Sequence, residues 1–163
     1  MPRASIPAGF ENKAFDAAYL MEPYITEVVR NGKAVIFLPG EAFTPNLTNP
    51  LYYGTAFTKT NPDLGRRFMV AYLQGVRQYN EGKTDRNLEI LSNYTPMNWD
   101  ALKETCWVPI LENGEISRQP VREYMDWMQQ NGKISRTVPD DQLFDMRYVD
   151  YANGILGNAT ESS

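Results

Sequence analysis

Glu22 stands directly before Pro23, where the apolar run AFDAAYL (residues 14–20) gives way to the helix-like segment EPYITEVVRNG. A carboxylate at a strand-to-helix junction has two uses. It can present negative charge to a ligand lying beyond the strand's carboxyl end, or it can complement the partial positive charge of the helix start, an effect of about 0.3–1 kcal/mol. Both uses are open to Glu22. Asp16 is a second carboxylate, set inside the apolar run itself. An unpaired buried charge is too costly, so Asp16 must be paired, solvated or facing a cavity: it either bonds backbone groups of the adjoining loop or contacts a ligand. Tyr19 and the Tyr52-Tyr53 pair could stack on a planar ligand with their hydroxyls as donors, or pack as ordinary tyrosines of β-type runs.

What the sequence lacks narrows the chemistry. The chain has no histidine and a single cysteine, Cys106, which removes intrachain disulfides, Cys/His zinc sites and Ser-His or Cys-His catalytic arrangements. No metal and no cofactor is expected. Cys106, in KETCWVP beside Trp107, reads as a buried structural thiol. The net charge is -4 and the lysines and arginines are scattered, so the electrostatic footprint of a nucleic-acid binder is missing. No run reaches the roughly 20 apolar residues needed to span a bilayer, and no secretory-type apolar stretch follows Met1, so the chain as written is expected neither to insert nor to export itself.

The elements that would position these residues alternate in type. Residues 14–20 and the continuous apolar run KAVIFL (33–38) read as strands of the kind covered on both faces. Between them Tyr24, Ile25, Val28 and Val29 fall at helical spacing, with Pro23 in the first turn and Asn31-Gly32 as the stop. The unit is strand, helix, strand, the building block of a parallel sheet. PGEAFTPNLTNP (39–50) reads as an extended connector, and LYYGTAFT (51–58) as a further β-type run. Asn61-Pro62-Asp63 then opens a long amphipathic helix with Leu64, Phe68, Tyr72, Val76 and Tyr79 on one stripe. After it the pattern is helical: TDRNLEILSNY, NWDALKETC, SRQPVREYMDWMQQNG with Val121, Tyr124, Met125 and Met128 on one face, and DQLFDMRYVDYANGILG. Trp99, Trp107 and Trp127 are assigned to the core. The fold class expected is α/β.

The order of these segments carries a resemblance. DAAYLMEPYITEVVRNGKAV, a proline-rich connector, YYGTAFTKTNPDLGRRFMVAYLQGVRQYNEG and ENGEISRQPVREYMDWMQQNGKI together resemble the C-terminal half of ABC-transporter substrate-binding proteins of the nitrate/sulfonate/taurine/thiamin-pyrimidine type, from about Phe15 to Gly157. The resemblance implies part of a two-lobed periplasmic-binding-protein type II-like fold. Residues 1–38 would end the second lobe, 39–50 would form the hinge connector, and 51–163 would return to the first lobe. It implies a small polar or heterocyclic ligand held in an interlobe cleft without chemistry, with Glu22, Asp16, Tyr19, Tyr52 and Tyr53 as ligand-binding residues. An ABC permease would be the membrane partner, and the location would be periplasmic or tethered outside the membrane.

Two other functions are compatible with that resemblance: a thiamin-pyrimidine synthase-like enzyme, whose active-site histidine and cysteine cluster have no counterpart here, and a ligand-sensing regulatory domain. A complete family member is about twice as long. The chain is therefore expected to be a fragment, with KAVIFL lacking cover and edge partners and the truncated chain prone to self-association. An acidic cleft residue would suit an aminopyrimidine or another nitrogen heterocycle better than an anion.

Overall fold

The computed structural model describes residues 5–38 and 50–157. Nine helices occur among the described residues: α1 (Ile6–Glu11), α2 (Tyr24–Arg30), α3 (Thr55–Thr60), α4 (Pro62–Asn80), α5 (Asp85–Tyr94), α6 (Trp99–Glu104), α7 (Arg118–Gln130), α8 (Asp140–Leu143) and α9 (Arg147–Leu156). The α/β expectation is overturned. The described residues contain no strand, hence no parallel sheet and no basis for a two-lobed periplasmic-binding-protein type II-like fold.

Each of the three expected strands has a local reason for its different outcome. In 14–20 the chain folds back on α1: Phe15 packs edge-on against Phe10 with ring centroids 4.9 Å apart, and Ala14 N donates to Gly9 O at 2.9 Å. This approach requires glycine at position 9, because a Cβ there would lie 2.3 Å from Phe15 Cε1. In 51–58 the run is cut at Gly54, whose extended backbone caps α3, so that Leu51 to Tyr53 lead into a helix. The third run, 33–38, carries only turn and irregular backbone and has no strand beside it, which a parallel strand requires. The expected hinge connector lies outside the described residues except for Pro50.

By contacts, the described chain divides into two compact units, one of residues 5–38 and 81–109, the other of 50–80 and 110–157. In the first, α1 packs with α2 and α5 with α6. Val28 of α2, Leu88 of α5 and Leu102 of α6 are its buried apolar side chains. The Asn31-Gly32 stop forms as read: Gly32 takes φ 63°, Gly32 N donates to Val29 O at 3.0 Å and Lys33 N to Val28 O at 2.9 Å, the paired bonds of a Schellman closure. Thr84 caps α5 by accepting from Asn87 N at 3.2 Å, and Asn98 caps α6 by accepting from Ala101 N at 2.9 Å. These are the side chains that suit those positions.

The second unit is built on α4 against α9. Met69 and Leu73 of α4 meet Tyr148, Val149 and Ala152 of α9, and Tyr53, Val70, Tyr72, Met146 and Leu156 pack around them. The buried stripe of α4 is Gly65, Met69, Leu73 and Val76, which corrects the stripe read from sequence. Leu64 and Phe68 are about half exposed, 45% and 46%. Val76 is buried as read, but the earlier positions move by one residue, to Gly65, Met69 and Leu73; Gly65, which has no side chain to score as apolar, lies against Tyr148, whose Cε1 would be 2.7 Å from a Cβ there.

Polar side chains fasten this unit. The Arg77 guanidinium donates to Leu156 O at 3.2 Å and Gly157 O at 2.7 Å, closing the carboxyl end of α9. Asn80 accepts from Ile110 N at 3.2 Å and donates to Ile110 O at 2.7 Å, imitating a backbone partner.

On α7, Val121, Met125 and Met128 are half-buried as their spacing suggests, but Tyr124 is exposed and stacks on Trp127 at 5.8 Å. The tryptophans do not fill a core. Trp127 and Trp99 are exposed, and half-buried Trp107, which lies outside any helix, donates its indole N–H to Leu102 O at 3.0 Å. Cys106 is exposed, not the buried thiol read from the sequence.

Candidate functional site

The residues singled out by sequence fall in both units. Glu22 sits at the start of α2, across a cis Glu22-Pro23 peptide bond. Its Oε2 accepts from Thr26 N at 3.0 Å, and its Oε1 accepts from Thr26 Oγ1 at 3.1 Å and Cys106 N at 3.4 Å. Of the two uses open to it, this geometry performs the helix-start one: both carboxylate oxygens satisfy donors at the first turn. Asp16 is exposed on irregular backbone, where water solvates its charge, and Tyr19 is also exposed.

Tyr52 and Tyr53 are brought together at one concavity. Leu51, Tyr52, Tyr53, Gly54, Phe57 and Phe68 line an open hollow of about 280 Å³ on the surface of the second unit. Gly54 turns the chain into α3, which brings Phe57 round beside Tyr53 with ring centroids 5.4 Å apart. Phe68 reaches the same ring from α4 at 6.0 Å, and Tyr148 braces it edge-on from α9 at 4.9 Å. The Tyr53 hydroxyl donates to Gly65 O at 2.8 Å, which fixes the ring and leaves its O–H committed to the protein. Burial, with the neighbouring Tyr148 second, pushes the Tyr53 phenol above its ordinary value.

Tyr52 is the exposed counterpart: 81% exposed, it offers an aromatic face and a hydroxyl at the rim. At about 280 Å³ the hollow is slightly smaller than ligand sites usually are, about 300 to 1,000 Å³. It suits a single flat ring better than an extended molecule. The walls are aromatic and apolar, with polarity confined to backbone groups and the Tyr52 hydroxyl.

Phe57 and Phe68 were missed by sequence reading, the first because LYYGTAFT read as a strand and the second because it was placed on the buried stripe. The available signal was the clustering of aromatic residues at 52, 53, 57, 68 and 72, the last two stacked at 6.5 Å on successive turns of α4.

Elsewhere two aspartates are engaged by arginines. Asp140 accepts from both Arg122 Nε, at 2.8 Å, and an Arg122 terminal nitrogen, and Arg118 lies 3.7 Å away. The Arg122 hydrogen bond holds the Asp140 carboxyl below its ordinary value. Asp145 is lowered in the same way by Arg147, which forks onto it at 2.8 and 2.7 Å. These are ion pairs, each carboxylate matched by guanidinium, and they do not form the two-carboxylate arrangement of acid-base catalysis. Among the described residues no group of three or more potential ligands could hold a metal ion.

Comparison with protein-family models, curated proteins and solved structures finds no match to this chain.

Proposed function

We propose that this protein captures a small planar solute and passes it on without making or breaking a bond in it, as the substrate-binding component of an ABC importer. The importer role, its permease partner and a periplasmic or membrane-tethered location rest on the order of sequence segments from Phe15 to Gly157. The observation that carries ligand capture is the aromatic hollow, with Tyr53 locked by Gly65 O as its floor and Tyr52 exposed at its rim.

Such a site favours a flat nitrogen heterocycle of the aminopyrimidine kind. Ring faces supply stacking, and backbone carbonyls and the Tyr52 hydroxyl can meet its N–H groups. Glu22 belongs to the other unit, where its oxygens accept from Thr26 and Cys106, and it has no part in this site. Nor do the residues given carry a histidine for proton transfer.

Calorimetric titration with an aminopyrimidine tests the reading. Tyr52→Ala is expected to weaken binding about tenfold, since aromatic stacking on a base is worth about 1–3 kcal/mol, while Tyr52→Phe keeps most of the affinity. The fold should be untouched because Tyr52 is so exposed. Equal affinity in Tyr52→Ala and the unsubstituted protein, or chemical conversion of the bound solute, would contradict the proposal.

A further inference from the structure

Asn-Gly occurs four times in the chain, at 31–32, 113–114, 131–132 and 153–154. The pair is chemically fragile because glycine has no Cβ to keep its backbone nitrogen away from the asparagine carboxamide. Structure decides which pair reacts. Asn153 lies inside α9, where its Nδ2 donates to Asn113 O at 2.8 Å and its Oδ1 is buried. Asn113 is tied by that same bond and its Oδ1 accepts from Glu115 N at 3.0 Å, while Gly114 is pressed against Leu73 and Val149. The other two pairs are a matched set. Asn31-Gly32-Lys33 ends α2 and Asn131-Gly132-Lys133 ends α7 through the same two bonds: Gly32 N to Val29 O and Gly132 N to Gln129 O at 3.0 Å each, Lys33 N to Val28 O at 2.9 Å and Lys133 N to Met128 O at 2.8 Å. Both pairs are exposed. They differ at the carboxamide. Asn131 Nδ2 donates to Trp127 O at 2.8 Å, which holds that side chain back over the helix, whereas the Asn31 carboxamide meets no hydrogen-bond partner among the described residues.

We propose that Asn31 is a site of spontaneous deamidation in the folded protein, the fastest of the four Asn-Gly pairs. When the turn opens and Gly32 N leaves Val29 O, a base removes the amide proton and the nitrogen attacks Asn31 Cγ. The new N–Cγ bond closes a five-membered imide, the Cγ–Nδ2 bond breaks, and Nδ2 departs with a returned proton as ammonia. Water then opens the imide. Attack at Cγ yields aspartate, and attack at the main-chain carbonyl yields isoaspartate, whose backbone runs through the former side chain. No oxidant or reductant is needed. Either product places a new carboxylate at the carboxyl end of α2, where the helix already carries partial negative charge. Isoaspartate also adds a methylene to the backbone ahead of Gly32, which parts the two bonds that close the helix. Conversion therefore loosens the end of α2.

The test is peptide mass mapping of the full chain held at mildly alkaline pH and sampled over days, with isoaspartate detected by its enzymatic methylation. In the folded protein Asn31 is expected to convert first, and at least about tenfold faster than Asn113 and Asn153, which react only through a wider opening of the structure. In guanidinium chloride, where the folded-state differences are gone, the four pairs should convert at similar rates. Asn31→Gln should lose the first acidic species to appear, because glutamine would have to close a larger ring. Conversion at Asn113, Asn131 or Asn153 as fast as at Asn31 in the folded chain would overturn the proposal. So would an Asn31 that stays intact in the folded chain over the time in which the unfolded chain reacts, or persistence of the first acidic species in Asn31→Gln.

Discussion

Leu73→Ala is expected to destabilise the protein by about 2–5 kcal/mol, the largest effect of any single substitution considered. Leu73 is 0% exposed, at the centre of the cluster that joins α4 to α9, with Met69 a turn before it and Val149 and Ala152 opposite. Gly114, at φ 69°, closes the remaining side, its Cβ position only 3.0 Å from Leu73 Cδ2. Neighbours held this closely by two helices and the turn at Gly114 have little freedom to collapse into the space an alanine would leave, so the cost should fall in the upper part of the range. Denaturant unfolding followed by circular dichroism measures it. A loss below about 1 kcal/mol would mean that α4 does not bury this face.

The second large effect is a pair of glycine substitutions with opposite signs on one helix. Alanine normally favours a helix interior over glycine by about 0.8–1.0 kcal/mol. At Gly75 nothing lies within 4 Å of the new methyl group, so Gly75→Ala should stabilise by about 0.5–1 kcal/mol. At Gly65 the methyl would stand 2.7 Å from Tyr148 Cε1 and 3.4 Å from Phe57 Cε1. Tyr148 is buried and wedged against Tyr53, so it cannot swing aside, and overpacking of this kind costs about 1–3 kcal/mol. Gly65→Ala should therefore destabilise by up to about 2 kcal/mol after the gain in helix propensity. Thermal unfolding of the two variants decides the matter: equal shifts of the same sign would show that Tyr148 does not lie against α4 at Gly65.

Helices announced by capping chemistry were legible in the sequence. Thr84 and Asn98 stand where helix starts need them, Pro62 opens α4, and Asn31-Gly32 closes α2 through a glycine that takes positive φ. The strands were not, because a short apolar run has no periodicity that tells pairing from a bare irregular segment; tertiary contacts decide, and KAVIFL meets none that bury it. AFDAAYL failed for a different reason, Phe15 preferring the hollow above Gly9.

At the site, the pair Tyr52-Tyr53 could be singled out from residue type alone, but not their division of labour. That depends on Gly65 O lying within reach of one hydroxyl, which no local pattern encodes. Glu22 was legible as a helix-junction carboxylate. Which donors it would meet was not, since Cys106 lies 84 residues further along the chain.

The central claim is that a flat solute binds at the aromatic hollow. It is tested most directly by titrating isotope-labelled protein with an aminopyrimidine and mapping the nuclear magnetic resonance shifts. The account predicts saturable shifts centred on Tyr52, Tyr53, Phe57 and Phe68, with ring-current changes in the aromatic protons of Phe57 and Phe68. Shifts centred instead on Asp16, Tyr19 and Glu22, or no saturable shift anywhere in the chain, would contradict it.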